Sequence, residues 1–188
     1  ALLLEDGRIV ITFRGTDDSL IGWHEDFLML CEKTVPAQES SVHFVEHIAK
    51  LSIPSSLLAD LKNPFIDASL WQRFKKHFQY QKQRPLWLVG HSKGGNLAIY
   101  AACFCQTSIQ KRIFQVDNFD GPGFHDEILK SSAYRQMLPY IHSYIPHYSF
   151  FGIVLGHEEN YTVVKSHETG MMQHNAFSWQ LQAHHFEV

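Results

Sequence analysis

Short apolar runs of strand length alternate along the chain with stretches in which apolar side chains recur every three or four residues. Leu2 to Leu4 and Arg8 to Phe13 read as two strands of a hairpin, with Asp6-Gly7 as a type I′ turn signal between them. The run Ile9-Val10-Ile11-Thr12-Phe13 is almost continuously apolar, as a central strand buried on both faces requires. A polar loop, Arg14 to Ser19, leads to a helix start at Asp18 or Ser19, then to Leu20, Trp23, Phe27, Leu30 and Cys31 at helical spacing. Two further helices are expected. One runs from Gln38 to Leu51 on Val42, Val45, Ile48 and Ala49. The other runs from Asp67 to Gln81 on Leu70, Phe74 and Phe78, with breakers at Ile53-Pro54 and Lys62-Asn63-Pro64 between them. Leu86 to Val89, Ile113 to Val116, Tyr140 to Ile145 and Tyr161 to Lys165 read as strands. Asn96 to Cys105 and His125 to Met137 read as helices, Asp117 to Gly123 as a loop, and Ser149 to Leu155 as a helical turn. Strands alternating with helices predict an α/β fold: one domain over residues 1–188, with a mostly parallel central sheet and helices on both faces.

The stretch Leu86 to Ala98 changes this from a fold to a chemistry. An apolar strand enters Gly90-His91-Ser92-Lys93-Gly94, and a helix leaves it. Gly-x-Ser-x-Gly alone is a weak pattern. Between a strand and a helix it is the nucleophile elbow of an α/β-hydrolase, where a sharp turn lifts the serine above the sheet. A serine hydroxyl needs a base to take its proton, a carboxylate to orient that base, and N–H donors for the oxyanion. In this fold the base follows the last strand. Of thirteen histidines, His174 sits in that position, with His167 as runner-up; His157 precedes the strand, and His91 is assigned to packing. For the acid, Asp120 closes the strand after the elbow helix, and Glu158 and Glu159 are the next choices. The oxyanion donors are expected to be the Lys93 backbone N–H and Thr16, in the loop after Ile9–Phe13. The Lys93 side chain is read as solvent-exposed with a local ion pair.

Composition narrows the partners. A net charge of −3 and no large Lys/Arg cluster argue against nucleic acid. Three cysteines form no disulfide framework and suit a reducing, cytoplasmic setting. No apolar run approaches the ~18 residues of a membrane span, and no signal peptide is expected. The chain begins without Met inside an apolar run, so it is expected to be a segment of a longer protein. His43 and His47 stand four apart on a helix, a zinc-chelating spacing, but no Glu lies between them as a metalloprotease needs, and they read as a solvated face. Trp23, Phe27, Phe150 and Phe151 line an acyl pocket or belong to the core.

Phe13-Arg14-Gly15-Thr16, Trp23-x-x-Asp26 and Gly90-His91-Ser92-x-Gly94-Gly95 together resemble the class 3 (fungal triacylglycerol) lipases. The fuller set resembles a bacterial family of lipase-like α/β-hydrolases of unassigned function. It comprises the extended elbow, Phe119-Asp120-Gly121-Pro122-Gly123-Phe124, Val164-Lys165-Ser166 and Gln173 to Trp179. The resemblance implies Ser92 as nucleophile, His174 as base, and Thr16 with Lys93 in the oxyanion hole. It also implies a lid over Ser19 to Phe27 and support of the oxyanion loop by Asp26. The chain departs from the lipases near Ser149, where they keep their triad acid; Asp120 then takes the role, or the triad is weakened. The expected function is a serine esterase acting on small-molecule or lipid esters, with no metal or organic cofactor. Thioesterase, acyltransferase or peptidase chemistry would use the same residues, and a catalytically silent scaffold used for binding is the alternative of a different class.

Overall fold

The computed structural model describes residues 1–16, 20–51 and 84–188, the side chains of Ile21 and Trp23 excepted. The helix expected over Asp67–Gln81, the breakers before it and the Asp18/Ser19 helix start lie outside the described residues.

Six strands form one sheet in chain order: β1 (Leu2–Leu3), β2 (Ile9–Phe13), β3 (Leu86–His91), β4 (Ile113–Phe119), β5 (Ile141–Pro146) and β6 (Asn160–Val164). Among the described strands of this sheet, only the β1–β2 pair is antiparallel. The hairpin forms as expected, but its turn is not type I′, which needs positive φ at both central residues: Gly7 has φ 90°, and Asp6 is not in that region.

Among the described residues the α-helices are α1 (Leu20–Cys31), α2 (Pro36–Lys50), α3 (Lys93–Phe104) and three short ones, α4 (Thr107–Gln110), α5 (Asp126–Leu129) and α6 (Ser132–Met137). Pro36 opens α2, where its missing N–H costs nothing. The single helix expected over His125–Met137 is broken in two. Ser131 ends the first turn and caps the second, accepting from the Tyr134 N–H at 3.1 Å. The loop expected over Asp117 to Gly123 begins later, because Asp117, Asn118 and Phe119 still pair with His142, Ser143 and Tyr144 of β5.

The described α2, α3 and α6 gather on one face of the sheet. Parallel strands that advance in one direction, joined by right-handed crossovers, place their connecting helices on one face. Ile11, Leu88, Val116 and Ile141 project to that face and are almost completely buried, where α3 packs over β2, β3 and β4 with α2 and α6 beside it. Side-chain alternation sends Phe119 and Tyr144 to the other face. There the C-terminal hairpin β7 (Leu181–Gln182)–β8 (His185–Phe186) covers them, with Phe186 5.2 Å from the Tyr144 ring and Trp179 6.0 Å from the Phe119 ring. No described helix is long and apolar enough to cross a membrane.

The α2–α3 contact carries a polar pin inside an apolar layer. Fully buried Asn96 accepts from Gln38 Nε2 at 2.8 Å and donates to the Gly123 carbonyl at 2.7 Å, joining α2, α3 and the loop after β4. Asn96→Ala should therefore destabilise the protein by about 2–4 kcal/mol, since partners on both sides lose their hydrogen bonds. A thermal melt should show Tm lower by roughly 5–10 °C. An unchanged Tm would show that the pin is not needed.

Candidate active site

The chain turns at Ser92 from β3 directly into α3, and its backbone takes φ 58°, ψ −134°. A non-glycine residue held there stores about 1–3 kcal/mol of strain. The glycines on either side explain how the turn closes. A Cβ on Gly90 would lie 2.0 Å from the Gly94 carbonyl oxygen, and one on Gly94 would lie 2.2 Å from the Phe13 carbonyl oxygen. The Ser92 N–H donates to the Phe119 carbonyl at 2.9 Å, which fixes the elbow against the end of β4.

Directly after β4, Asp120 also takes a left-handed backbone, φ 52°, with its N–H on the Tyr144 carbonyl at 2.9 Å. Asn118 holds the loop from inside, accepting from the Gly121 N–H at 2.9 Å. The Asp120 carboxylate is fully buried. Its Oδ1 accepts from the Ser149 hydroxyl and from the Gly152 N–H at 3.1 Å, and its Oδ2 accepts from His174 Nδ1 at 2.7 Å. An imidazole donating from Nδ1 carries its lone pair on Nε2 when neutral.

The structure thus brings Asp120 and His174 together, and His174 and Ser92 line the same cleft of about 370 Å³. His174 lies between two rings, Phe151 at 4.1 Å and His91 at 4.6 Å. His91 does more than pack: its Nε2 donates to the His174 carbonyl at 2.7 Å. Burial lowers the His91 pKa, which favours the neutral ring over the charged one. Ser92 and His174 are not hydrogen-bonded to each other.

The other histidines and acids are elsewhere. His167 is exposed, with its backbone N–H on the Ser178 carbonyl. Glu158 is exposed. Glu159 is buried but fully engaged by Tyr134 Oη at 2.6 Å, Ser143 Oγ at 2.6 Å and His157 Nδ1 at 2.7 Å. His43 and His47 are exposed on α2, and the described residues contain no group of three or more ligands suited to a metal.

On the opposite wall, Thr16 Oγ1 donates to Asp26 Oδ2 at 2.6 Å. The expectation of an exposed Lys93 is corrected: its side chain is buried under α1, with Nζ 3.0 Å from Glu25 Oε2 and 3.2 Å from Asp26 Oδ1. Two carboxylates take up its charge, so it presents no free cation to an anionic substrate. Phe27, Phe150 and Phe151 do line the cleft, joined by Met29, Val154 and Met171. Sequence reasoning missed Ser149, Gly152 and Glu25. Only Ser149 carried a signal, since it stands where the resemblance placed an acid.

The Mbeg1-like family model matches residues 1–59 and 67–188, nearly the whole chain. No curated protein and no solved structure gave a match.

Burial alone would raise the Glu159 pKa, but its hydrogen bonds and charge interaction with His157, and its hydrogen bonds with Ser143 and Tyr134, outweigh that and pull it from 4.5 to about 2. A folded-state pKa below the unfolded one stabilises the protein above the unfolded value, and that share is lost as the pH falls from about 4.5 toward 2. Between about pH 6 and about pH 3 the wild type should lose about 2 kcal/mol more than Glu159→Gln in urea unfolding. Equal losses would show that Glu159 is not ionised in the fold.

Proposed function

We propose a function for this chain, which belongs to the Mbeg1-like family: it is a serine hydrolase with an α/β-hydrolase fold that cleaves carboxylic esters through an acyl-enzyme. The observation that carries the reading is the 2.7 Å contact between the buried Asp120 carboxylate and His174 Nδ1, on a histidine that shares its cleft with the strained Ser92 elbow.

In the first half-reaction Ser92 Oγ attacks the ester carbonyl carbon while its proton passes to His174 Nε2. Asp120 stabilises the imidazolium that forms and holds it in the productive tautomer. The tetrahedral oxyanion takes hydrogen bonds from the backbone N–H groups of Thr16 and Lys93. Collapse expels the alcohol, which receives its proton from His174. Water, deprotonated by the same nitrogen, then attacks the acyl carbonyl and releases the acid and Ser92. Catalytic hydrogen bonds are often long in an unliganded site and tighten on substrate binding, which accommodates the unbonded Ser92–His174 pair.

The apolar lining of the cleft suits the acyl part of the ester. The resemblance to class 3 lipases points the same way. Ser149 supports the assignment of the acid, because it spends its hydroxyl on Asp120 at the place where the lipases keep a carboxylate.

A fluorophosphonate probe should label the wild type at Ser92 and leave Ser92→Ala unlabelled. On nitrophenyl esters, Asp120→Asn should cut kcat by about 10⁴, through loss of the correct His174 tautomer. An unlabelled Ser92 in folded protein, or full turnover in Asp120→Asn, would contradict the reading.

A further inference from the structure

We propose that the Lys93 side chain is a positioning residue for the oxyanion hole: its ammonium clamps α1 onto the nucleophile elbow and, through Asp26, sets the loop that carries Thr16. This rests on the hydrolase reading above and adds to it a device on the residue next to the nucleophile.

The two proposed oxyanion donors belong to separate segments. The Lys93 N–H opens α3, and the Thr16 N–H lies in the loop after β2. An oxyanion hole works only if both sit about 2.7–3.1 Å from the developing charge, so something must hold the segments in register. Close packing holds one side, since a Cβ on Gly15 would lie 3.1 Å from Ser92 Cβ. Thr16 itself is held by its side chain, on Asp26 Oδ2 at 2.6 Å. Asp26 is therefore as well placed as α1 is.

Among the described side chains of α1, Met29 is buried and Leu28 packs partly buried on the core, while Leu20 and Phe27 are 89% and 65% exposed. The polar side is different. Lys93 Nζ reaches Glu25 Oε2 at 3.0 Å, Asp26 Oδ1 at 3.2 Å and the Gly22 carbonyl at 3.4 Å. Glu25 Oε1 in turn accepts from the Ala37 N–H at 2.9 Å, in the first turn of α2. The ammonium of Lys93, a residue only 8% exposed, thus ties the elbow to α1, to the Thr16 loop and to the start of α2. Without it, two adjacent carboxylates repel at a partly buried site, and α1 with the Thr16 loop moves away from Ser92. Lysine suits the role because its long stem carries an ammonium that donates to the Gly22 carbonyl and to Glu25 Oε2 while its charge stands 3.2 Å from Asp26 Oδ1.

The test is steady-state hydrolysis of a short nitrophenyl ester by the wild type, Lys93→Met, Lys93→Arg, Asp26→Asn and the Lys93→Met/Asp26→Asn double variant, with thermal melts beside it. Lys93→Met keeps the backbone N–H and should lower kcat by about 10- to 100-fold with KM little changed, as expected when only transition-state contacts are lost. Lys93→Arg should recover most of kcat. Once Asp26 is Asn, replacing Lys93 should cost much less than it costs alone, because the two act through one contact. The double variant carries only one unpaired carboxylate, so the comparison survives poor folding of Lys93→Met. Wild-type kcat in Lys93→Met, or losses that add fully in the double variant, would overturn the role of Lys93 while leaving the hydrolase reading intact. A folded wild type inert to the ester and to the fluorophosphonate would overturn the hydrolase reading and this role with it.

Discussion

A carboxylate cannot be buried without donors, and Asp120 is completely buried. Three groups answer it from two parts of the chain: the Ser149 hydroxyl and the Gly152 N–H after β5, and His174 Nδ1 after β6. That requirement draws the loops at one end of the sheet to a common point. Each loop is then fixed by contacts of its own. Asn118 holds the Asp120 loop, His91 holds the His174 backbone, and the Trp179 indole N–H donates to the Gln173 carbonyl at 2.7 Å. The strained Ser92 turn persists because the sheet on one side and α3 on the other leave it no alternative, as the close approaches around Gly90 and Gly94 show.

The layers behind the site serve the same end. Core packing of α3 on β2, β3 and β4 fixes the elbow, and Asn96 carries that order into the loop after β4. Buried polar groups with every partner in place favour one arrangement over its neighbours, because a shifted loop would leave them unpaired. The cleft itself is mostly apolar, so the few polar groups aimed into it act in a setting of reduced dielectric.

What was legible in the sequence was local. The elbow could be read because its constraint lies within five residues, and the hairpin because two strands flank a short Asp-Gly turn. The place of His174 in the loop after the last strand was legible from chain order. Which carboxylate meets it was not, since Asp120, Glu158 and Glu159 differ only in where the fold carries them: Asp120 to His174, Glu159 into a separate network with Tyr134, Ser143 and His157. The burial of Lys93 was invisible for the same reason, because it depends on where α1 lies. The break at Lys130-Ser131 was missed because apolar spacing continues across it, while the Ser131 hydroxyl caps a new turn. The arrangement of helices about the sheet follows from strand order, which no local pattern encodes.

The central claim is that Ser92, His174 and Asp120 form one working unit facing two backbone donors. It is tested most directly by a crystal structure of the protein after reaction with a phosphonate ester. The account predicts phosphorus bonded to Ser92 Oγ and His174 Nδ1 still on Asp120. It also predicts the phosphonyl oxygen within about 2.7–3.1 Å of the Thr16 and Lys93 N–H groups. An adduct on another side chain, or a phosphonyl oxygen turned away from both N–H groups, would contradict it.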